Sequence, residues 1–458
     1  MHVIVDCPRI VIIGAGPCGL GAAWRLQEFG YRDFVLLEKE NHVGGLASSY
    51  VDANGFTWDV GGHVIHSHYP YFDRVFQEVT AGEYLTHERE SWIWIYDRFV
   101  PYPFQNNIRY LPPSVIQECL DGLKEASAKK HDPETFAEWI VDSFGSGIAK
   151  HFLFPYNRKV WAYPLEKMSY QWVGDRVASV DITRIELNIA EKKDDVSWGP
   201  NAVFEFPTFG GTGSIWEGVA NRFRSHIRLN AGVTSIDALK RQVICTDGSV
   251  HPYDVLLTTM PIDRLTGLTT GLTGTSGSED LHFSSVFIVG IGVKGDTPAH
   301  LRGKCWMYFP EDHAPFFRAT VFSHYSPHNA PKGTWSLMTE TSVSRYQPLA
   351  NQDIVASVID GAKKTGLIGE QSTVVDTWKF TTNYGYPTPT LGRDQILDRL
   401  FPIFEKHNIF SRGRFGAWRY EVSNQDHTFM QGVEWVNKIL NGEEEVTVFH
   451  PELVNAKK

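Results

Sequence analysis

The segment Gly14-Ala15-Gly16-Pro17-Cys18-Gly19 limits the fold of this chain more than any other. It stands between an apolar run, "RIVIIGAG", and a stretch with helical apolar spacing, "CGLGAAWRLQEFG". A second apolar run, "FVLLEKE", follows. That order predicts a strand–helix–strand opening. Gly14 permits the tight turn, Gly16 lets backbone approach a pyrophosphate, and Gly19 lets helix and strand pack closely. The helix N-terminus adds free N–H groups and the positive end of its dipole. Glu38 closes the second run nineteen residues after Gly19, the place of a carboxylate that holds a ribose hydroxyl. The opening is therefore expected to bind a dinucleotide.

A second glycine pair, Gly44-Gly45 in "GGLASS", comes directly after the acidic strand. This pattern resembles the large FAD family typified by amine oxidases and glutathione reductase, so FAD is favoured over NAD, with Gly44 and Gly45 letting the chain pass under the cofactor and Gly45 and Leu46 as cofactor-binding residues. A third pair opens "GGHVIHSHY". Gly61 and Gly62 carry almost no side-chain bulk, which lets backbone lie against an isoalloxazine ring, and His63 follows them. A metal site would need His63, His66 and His68 to converge. In an extended chain 66 and 68 share a face while 63 points away, and no acidic or cysteine set stands beside them. No metal is expected, and His63 is the functional histidine of the three.

Composition narrows the classes. The chain has 458 residues, enough for two or three domains. A formal net charge of -10 argues against a general nucleic-acid binder, which needs a basic face. The five cysteines are scattered and form no Cys-x-x-Cys pair, so reduced thiols and a cytoplasmic location are expected. The apolar N-terminus is interrupted by Asp6, Pro8 and Arg9 and runs straight into the glycine motif, unlike a signal peptide. No run of about 18 apolar residues appears, so no membrane span is expected.

Helical spacing is read over 112–150. Strands are read in "IRLNAGVTSIDAL", "QVICTDGSVHPYDVLLTTM", "SSVFIVGIGV", "CWMYFP", "RATVFS" and "TWSLMTET", and a last helix closes at Gly442. The expected fold is α/β, a Rossmann-like FAD-binding domain of the glutathione reductase/amine oxidase type, interrupted by a helical insertion and an antiparallel-sheet domain. Residues 1–90 with 203–260 and 405–458 would form the FAD-binding domain, 91–202 a mainly helical substrate and flap domain, and 261–404 an antiparallel β-sheet substrate domain.

The segments "DVGGHVIHSHYPYFD", "VPYPFQNNI", "PYNRKVWA", "WGPNA", "CWMYFPED", "RATVFSHYSP", "GYPTPTLGR" and "SRGRFGAWRYEVSNQDHTFMQGVE" together resemble the UDP-galactopyranose mutase family. The likeness is to its eukaryotic type, and it spans almost the whole chain in the expected order. It implies an isomerase that interconverts UDP-galactopyranose and UDP-galactofuranose. In this family reduced FAD attacks the anomeric carbon through N5, with no net redox change, and NADPH or NADH serves as reductant.

By the same resemblance, Arg318 and Arg414 bracket the substrate diphosphate, Arg176 sits on a mobile flap, and His63 orients the flavin edge. Bidentate guanidiniums suit a diphosphate better than lysines do. Tyr102, Phe104, Gln105, Asn157 and Trp161 match the uridine pocket. Asn201 matches a galactose neighbour, and Trp306, Tyr308, Tyr386, Tyr420 and Asn424 match further substrate contacts. Arg89, Ser91, Val233, Asn424, Gln425 and Thr428 match the cofactor side. The partner implied is a UDP-sugar, without nucleic acid or membrane, and the oligomeric state stays open. Two other enzymes stay open on the residues: a mutase for another nucleotide sugar, and an amine-oxidase-like FAD oxidoreductase. A flavin-free binding module of the GDP-dissociation-inhibitor kind is a third reading.

Overall fold

A run of Val, Ile and Leu with no polar interruption belongs to a strand covered on both faces. Ile10–Ile13 is such a strand, and all four residues are buried. Ile10 and Ile12 face one apolar core, Val11 and Ile13 the other. The computed structural model, which describes residues 7–128, 132–174, 180–196 and 202–455, places this strand at the centre of a five-stranded sheet. Its neighbours in order are Ile409–Ser411, Val255–Thr258, Ile10–Ile13, Phe34–Leu37 and Ile227–Arg228. Every pairing in it is parallel.

On one face the helices Pro17–Glu28 and Gln425–Asn441 cross. Two glycines allow the crossing. A Cβ on Gly432 would lie 2.0 Å from the Cys18 carbonyl oxygen, and one on Gly21 would lie 2.2 Å from that of Phe429. The other face is covered by Leu397, Leu400, Phe401 and Phe404 of the helix Arg393–Glu405 and by Ile262 and Leu265.

A second sheet has seven strands among the described residues, in the order Val374–Pro387, Phe283–Lys294, Thr334–Val343, Arg318–Val321, Trp306–Tyr308, Ser91–Ile95 and Arg98–Pro101. All its pairs are antiparallel except Trp306–Tyr308 with Ser91–Ile95. Gly290 is in its strand Phe283–Lys294, next to the edge, because Trp58 packs there. A Cβ at that position would meet the indole at 2.5 Å. The aromatic pair Phe56 and Trp58 thus anchors the chain just before Gly61-Gly62-His63.

Three differences from the sequence reading follow from packing. Residues 91–101, grouped there with the helical segment, hydrogen-bond into the seven-stranded sheet. The helices Ile262–Leu268 and Arg393–Glu405, grouped with that sheet, bury their apolar faces on the parallel sheet instead. The longest strand, Val374–Pro387, matches no sequence expectation. It is a sheet edge whose outward residues, such as Thr377, Lys379 and Thr381, are polar, which dilutes the apolar signal.

The helical part holds Pro113–Ala128, Phe136–Ile148 and Phe154–Trp161. Thr135 and Glu138 form a capping box that starts the second of these. A π-helical turn, Ala149–Leu153, leads into the third. No described helix is long and apolar enough to cross a membrane.

Candidate active site

Between the two sheets lies a cavity of about 990 Å³. At its dinucleotide end, Gly14 has φ +98°, and a Cβ there would strike Thr259 at 2.1 Å. A Cβ on Gly19 would fall 1.9 Å from the Gly14 carbonyl oxygen. No side chain caps the helix that starts at Pro17, and Gly16, Pro17 and Cys18 line the cavity. Gly44 N–H donates to the Ala15 carbonyl at 2.8 Å, which holds the second glycine pair beside the first. Gly45 and Leu46 line the wall, as does Val233. The Glu38 carboxylate is buried and accepts the Ala15 N–H at 2.7 Å and the Glu40 N–H at 2.9 Å, which fixes it at the cavity edge.

Further along, Gly62 and His63 line the same cavity. Both ends of the Gly62 peptide are held from the second sheet. Its N–H donates to Glu340 Oε1 at 3.0 Å, and its carbonyl accepts Trp306 Nε1 at 3.3 Å. His63 is half-buried, and its Nδ1 is enclosed with no hydrogen-bond partner. Burial pushes its imidazole down to about 4. Glu340 works against this shift, and Arg414 and Arg318 reinforce it. His63 is therefore a neutral ring at pH 7 with one nitrogen available. His66, also on the wall with its Nδ1 unmatched, is held down to about 4 by burial in the same way.

The three histidines do not converge. His68 turns instead to Asp426, which accepts both its backbone N–H at 3.0 Å and its ring nitrogen at 2.7 Å. His427 stands 3.2 Å from the same carboxylate. The expectation that no acidic residue joins these histidines is thus corrected, and the partner comes from the other end of the chain. Although burial opposes ionisation, His427 and His68 hold the Asp426 carboxyl well below the usual carboxylate range. The carboxylate ties the segment after His63 to the first turn of the last helix, where Asn424, Gln425 and Thr428 also face the cavity.

The far end of the cavity carries the two arginines. Arg318 grips Glu340 with two hydrogen bonds, Nε at 2.7 Å and Nη2 at 2.8 Å. Burial disfavours its charge, but Glu340 holds its pKa well above the ordinary value. Arg414 donates to the Gly385 carbonyl and to Ser423 Oγ and stacks 5.1 Å from the Tyr386 ring. Tyr308, Tyr386, Tyr420 and Trp306 line the same wall. Arg89 lies 4.6 Å over the Trp306 ring and reaches the Tyr308 hydroxyl at 3.5 Å.

The expected uridine residues stand beside this wall. Asn157 and Trp161 are one turn apart on the helix Phe154–Trp161, and the Asn157 amide donates to the Leu153 carbonyl at 2.8 Å. Trp161 is buried, 4.8 Å from the Tyr420 ring. Tyr102 lies 6.3 Å from Tyr308, and Gln105 is buried in the turn Phe104–Asn106. Phe104 is wholly enclosed against Phe152 in a core cluster, and Ser91 is buried under Arg89, whose Nε it accepts. Arg176 and Asn201 lie outside the described residues.

Besides Asp426, two residues were missed. Glu340 had a legible signal, a lone carboxylate inside the apolar strand Thr334–Val343. Tyr156, next to Asn157, sets its ring 5.3 Å from Tyr308.

A flavin dinucleotide fits these residues: glycines bare the backbone along one edge, a buried carboxylate stands at one end, and enclosed imidazole nitrogens without partners stand at the other.

Comparison with known proteins agrees. A family model described as flavin containing amine oxidoreductase matches residues 17–428. A crystal structure of reduced UDP-galactopyranose mutase superposes with a TM-score of 0.95 and 47% identity, over 98% of this chain and 97% of the other. A putative protoporphyrinogen oxidase from Exiguobacterium sp. 255-15 shares the fold, with a TM-score of 0.73 and 16% identity over 95% of this chain and 99% of that one. Among curated proteins, the 15-cis-phytoene desaturase of Glycine max is 33% identical over 115 residues, 25% of this chain. The match spans only about a fifth, 19%, of the desaturase's own length. The chain belongs to the flavin-containing amine oxidoreductase family and, within it, to the UDP-galactopyranose mutases.

Proposed function

We propose that this enzyme interconverts UDP-galactopyranose and UDP-galactofuranose, with FAD as its resident cofactor, active when reduced, and NADPH or NADH as reductant. One observation supports this most: two guanidiniums, Arg318 and Arg414, share a cavity wall with the bare Gly62 backbone and the neutral His63.

Reduced FAD, when bound, supplies the nucleophile for the anomeric carbon. The chain's own residues do the rest. Arg318 is charge-balanced by Glu340, whereas the hydrogen bonds of Arg414 go to carbonyl and hydroxyl oxygens, so the clamp keeps a positive surplus for a diphosphate. As UDP departs, negative charge grows on its phosphate oxygens. Guanidinium and phenol donors fixed in a half-buried site stabilise that charge more than water would. The same contacts keep UDP in place until the sugar has closed into its other ring, which makes its return an intramolecular event. The Gly62 backbone, pinned by Glu340 and Trp306, and His63 after it would hold the flavin ring. Arg176 is the proposed lid residue and Asn201 the proposed sugar contact.

The test is an anaerobic assay with UDP-galactofuranose, flavin oxidised or dithionite-reduced, with products separated chromatographically. Conversion to UDP-galactopyranose only with reduced flavin is the expected result. A yellow, reducible protein that converts nothing would leave another nucleotide sugar or an oxidase reaction, and a colourless protein would overturn the flavin reading.

A further inference from the structure

Lys159 lies on the helix Phe154–Trp161, about 200° around the axis from Asn157 at 100° per residue. Its side chain is buried, and its ammonium does not form a salt bridge within 4 Å among the described residues. All three donor positions of the ammonium are used on backbone carbonyls: Phe309 at 2.9 Å, Glu311 at 2.9 Å and Ala314 at 2.7 Å. Those carbonyls belong to the turn that joins strand Trp306–Tyr308 to strand Arg318–Val321. Tyr308 ends the first strand and Arg318 opens the second, so the turn carries an expected substrate contact on one side and a proposed diphosphate contact on the other. The helix carries Tyr156, Asn157 and Trp161.

Burying an ammonium is costly, and an apolar side chain of equal length would fill the space without that cost. The cation does something an apolar residue would not. It gathers three carbonyls that otherwise lack this donor and fixes helix and turn at one distance.

We infer that Lys159 is a positioning residue that locks the nucleoside half of the site to the diphosphate half. The inference rests on the reading that these halves hold uridine and diphosphate. With the lock in place, a ligand that spans both halves meets a preformed spacing. Without it, each half still binds its own fragment, but a spanning ligand must first order the two.

The experiment compares native enzyme with Lys159→Met, measuring flavin content, kcat, KM for UDP-galactofuranose, and dissociation constants for UDP, uridine and inorganic pyrophosphate. The expected result is full flavin content, kcat within about threefold of native, and UDP dissociation constant and KM raised about tenfold. Uridine and pyrophosphate should keep their native affinities. In Lys159→Ala, added ethylammonium should restore UDP affinity in part, a response that a general loss of stability would not give. Native-like UDP affinity in Lys159→Met overturns the inference, and so does an equal weakening of uridine, pyrophosphate and flavin. If Lys159→Met does not fold, Lys159→Leu, which also removes every donor, is judged by the same criteria. Failure of the native enzyme to bind UDP would count against the proposed function instead.

Discussion

Glu340 touches both partners of the chemistry at once, the Gly62 N–H on the flavin side and the Arg318 guanidinium on the substrate side. In Glu340→Gln the amide oxygen can still accept from Gly62, but Arg318 loses its counter-charge. Breaking such a pair is expected to cost about 2–3 kcal/mol, less than for a fully enclosed pair because Arg318 still reaches the cavity. The diphosphate of UDP can then stand in for the lost carboxylate. Saturating UDP should raise the melting temperature of Glu340→Gln by more than it raises that of the native enzyme, and equal shifts would show that Arg318 does not meet the diphosphate. A second residue-scale expectation concerns acid. His63 and His66 are bases whose folded pKa, about 4, lies below the ordinary 6.5. Their contribution is fully present above pH 6.5 and is lost as pH falls toward 4, about 1–2 kcal/mol each at pH 5. Urea titrations at pH 7.5 and 5.0 with flavin in excess check this, since His66→Leu should lose less stability between the two. The glycines, Glu38 and His63 were legible because their chemistry is local: each works within a few residues of its motif. Asp426 was not, because its carboxylate meets His68 from 358 residues away. Neither was the contact of Glu340 with Gly62, 278 residues apart. Burial of Phe104 likewise appears only when Phe152 closes over it.

At the scale of elements, the cofactor end depends on how closely two helices cross. Gly432 lets the last helix rest on the Cys18 carbonyl, in the first turn of the helix whose N-terminus lines the cavity. A methyl group at Gly432 must displace backbone, because the atom it meets is not a side chain that can swing away. Gly432→Ala is expected to destabilise the protein by about 1–3 kcal/mol or more and to lower its flavin content. Gly267 makes the control: it is helical, and a Cβ there meets nothing within 4 Å. Gly267→Ala should be neutral or slightly stabilising, by about 0.4–1 kcal/mol. Purified flavin-to-protein ratios and thermal melts of the two variants give the answer, and a Gly432→Ala enzyme with normal flavin would remove the crossing from the account. The strands Ile10–Ile13, Phe34–Leu37 and Val255–Thr258 of the parallel sheet were readable from their unbroken apolar runs, and the last helix from its period and its terminal glycine, whereas the three-residue strand Ile409–Ser411 was too short to read. The edge strand Val374–Pro387 was not, since Asp376 and Thr382 on its less exposed side and Val375 on its exposed side break the alternation.

On the scale of the molecule, neither sheet is a contiguous piece of chain. The parallel sheet takes strands from residues 10–37, 227–258 and 409–411, and the seven-stranded sheet takes its strands from 91–101, 283–343 and 374–387. Their contact runs through the cavity, where Gly62 on the flavin side is hydrogen-bonded to Glu340 and Trp306 on the other. A flavin held there touches both sheets, so its binding free energy should stabilise the joined state and not one half. At flavin concentrations one hundred times its dissociation constant this linkage adds about 2.7 kcal/mol. Removing the flavin should therefore lower the urea midpoint, and the midpoint of the loaded enzyme should climb with free flavin concentration. In the loaded enzyme, flavin release followed by absorbance should coincide with the change in tryptophan fluorescence, because Trp24, Trp216 and Trp435 pack against the parallel sheet, Trp92, Trp306 and Trp335 stand in the seven-stranded sheet, and Trp139 and Trp161 in the helical part. Flavin loss well before the tryptophan change would mean that the cavity opens while both sheets stay folded. The Gly62–Glu340–Arg318 chain would then be too weak to couple the sheets, and substrate clamp and flavin floor would act as separate units.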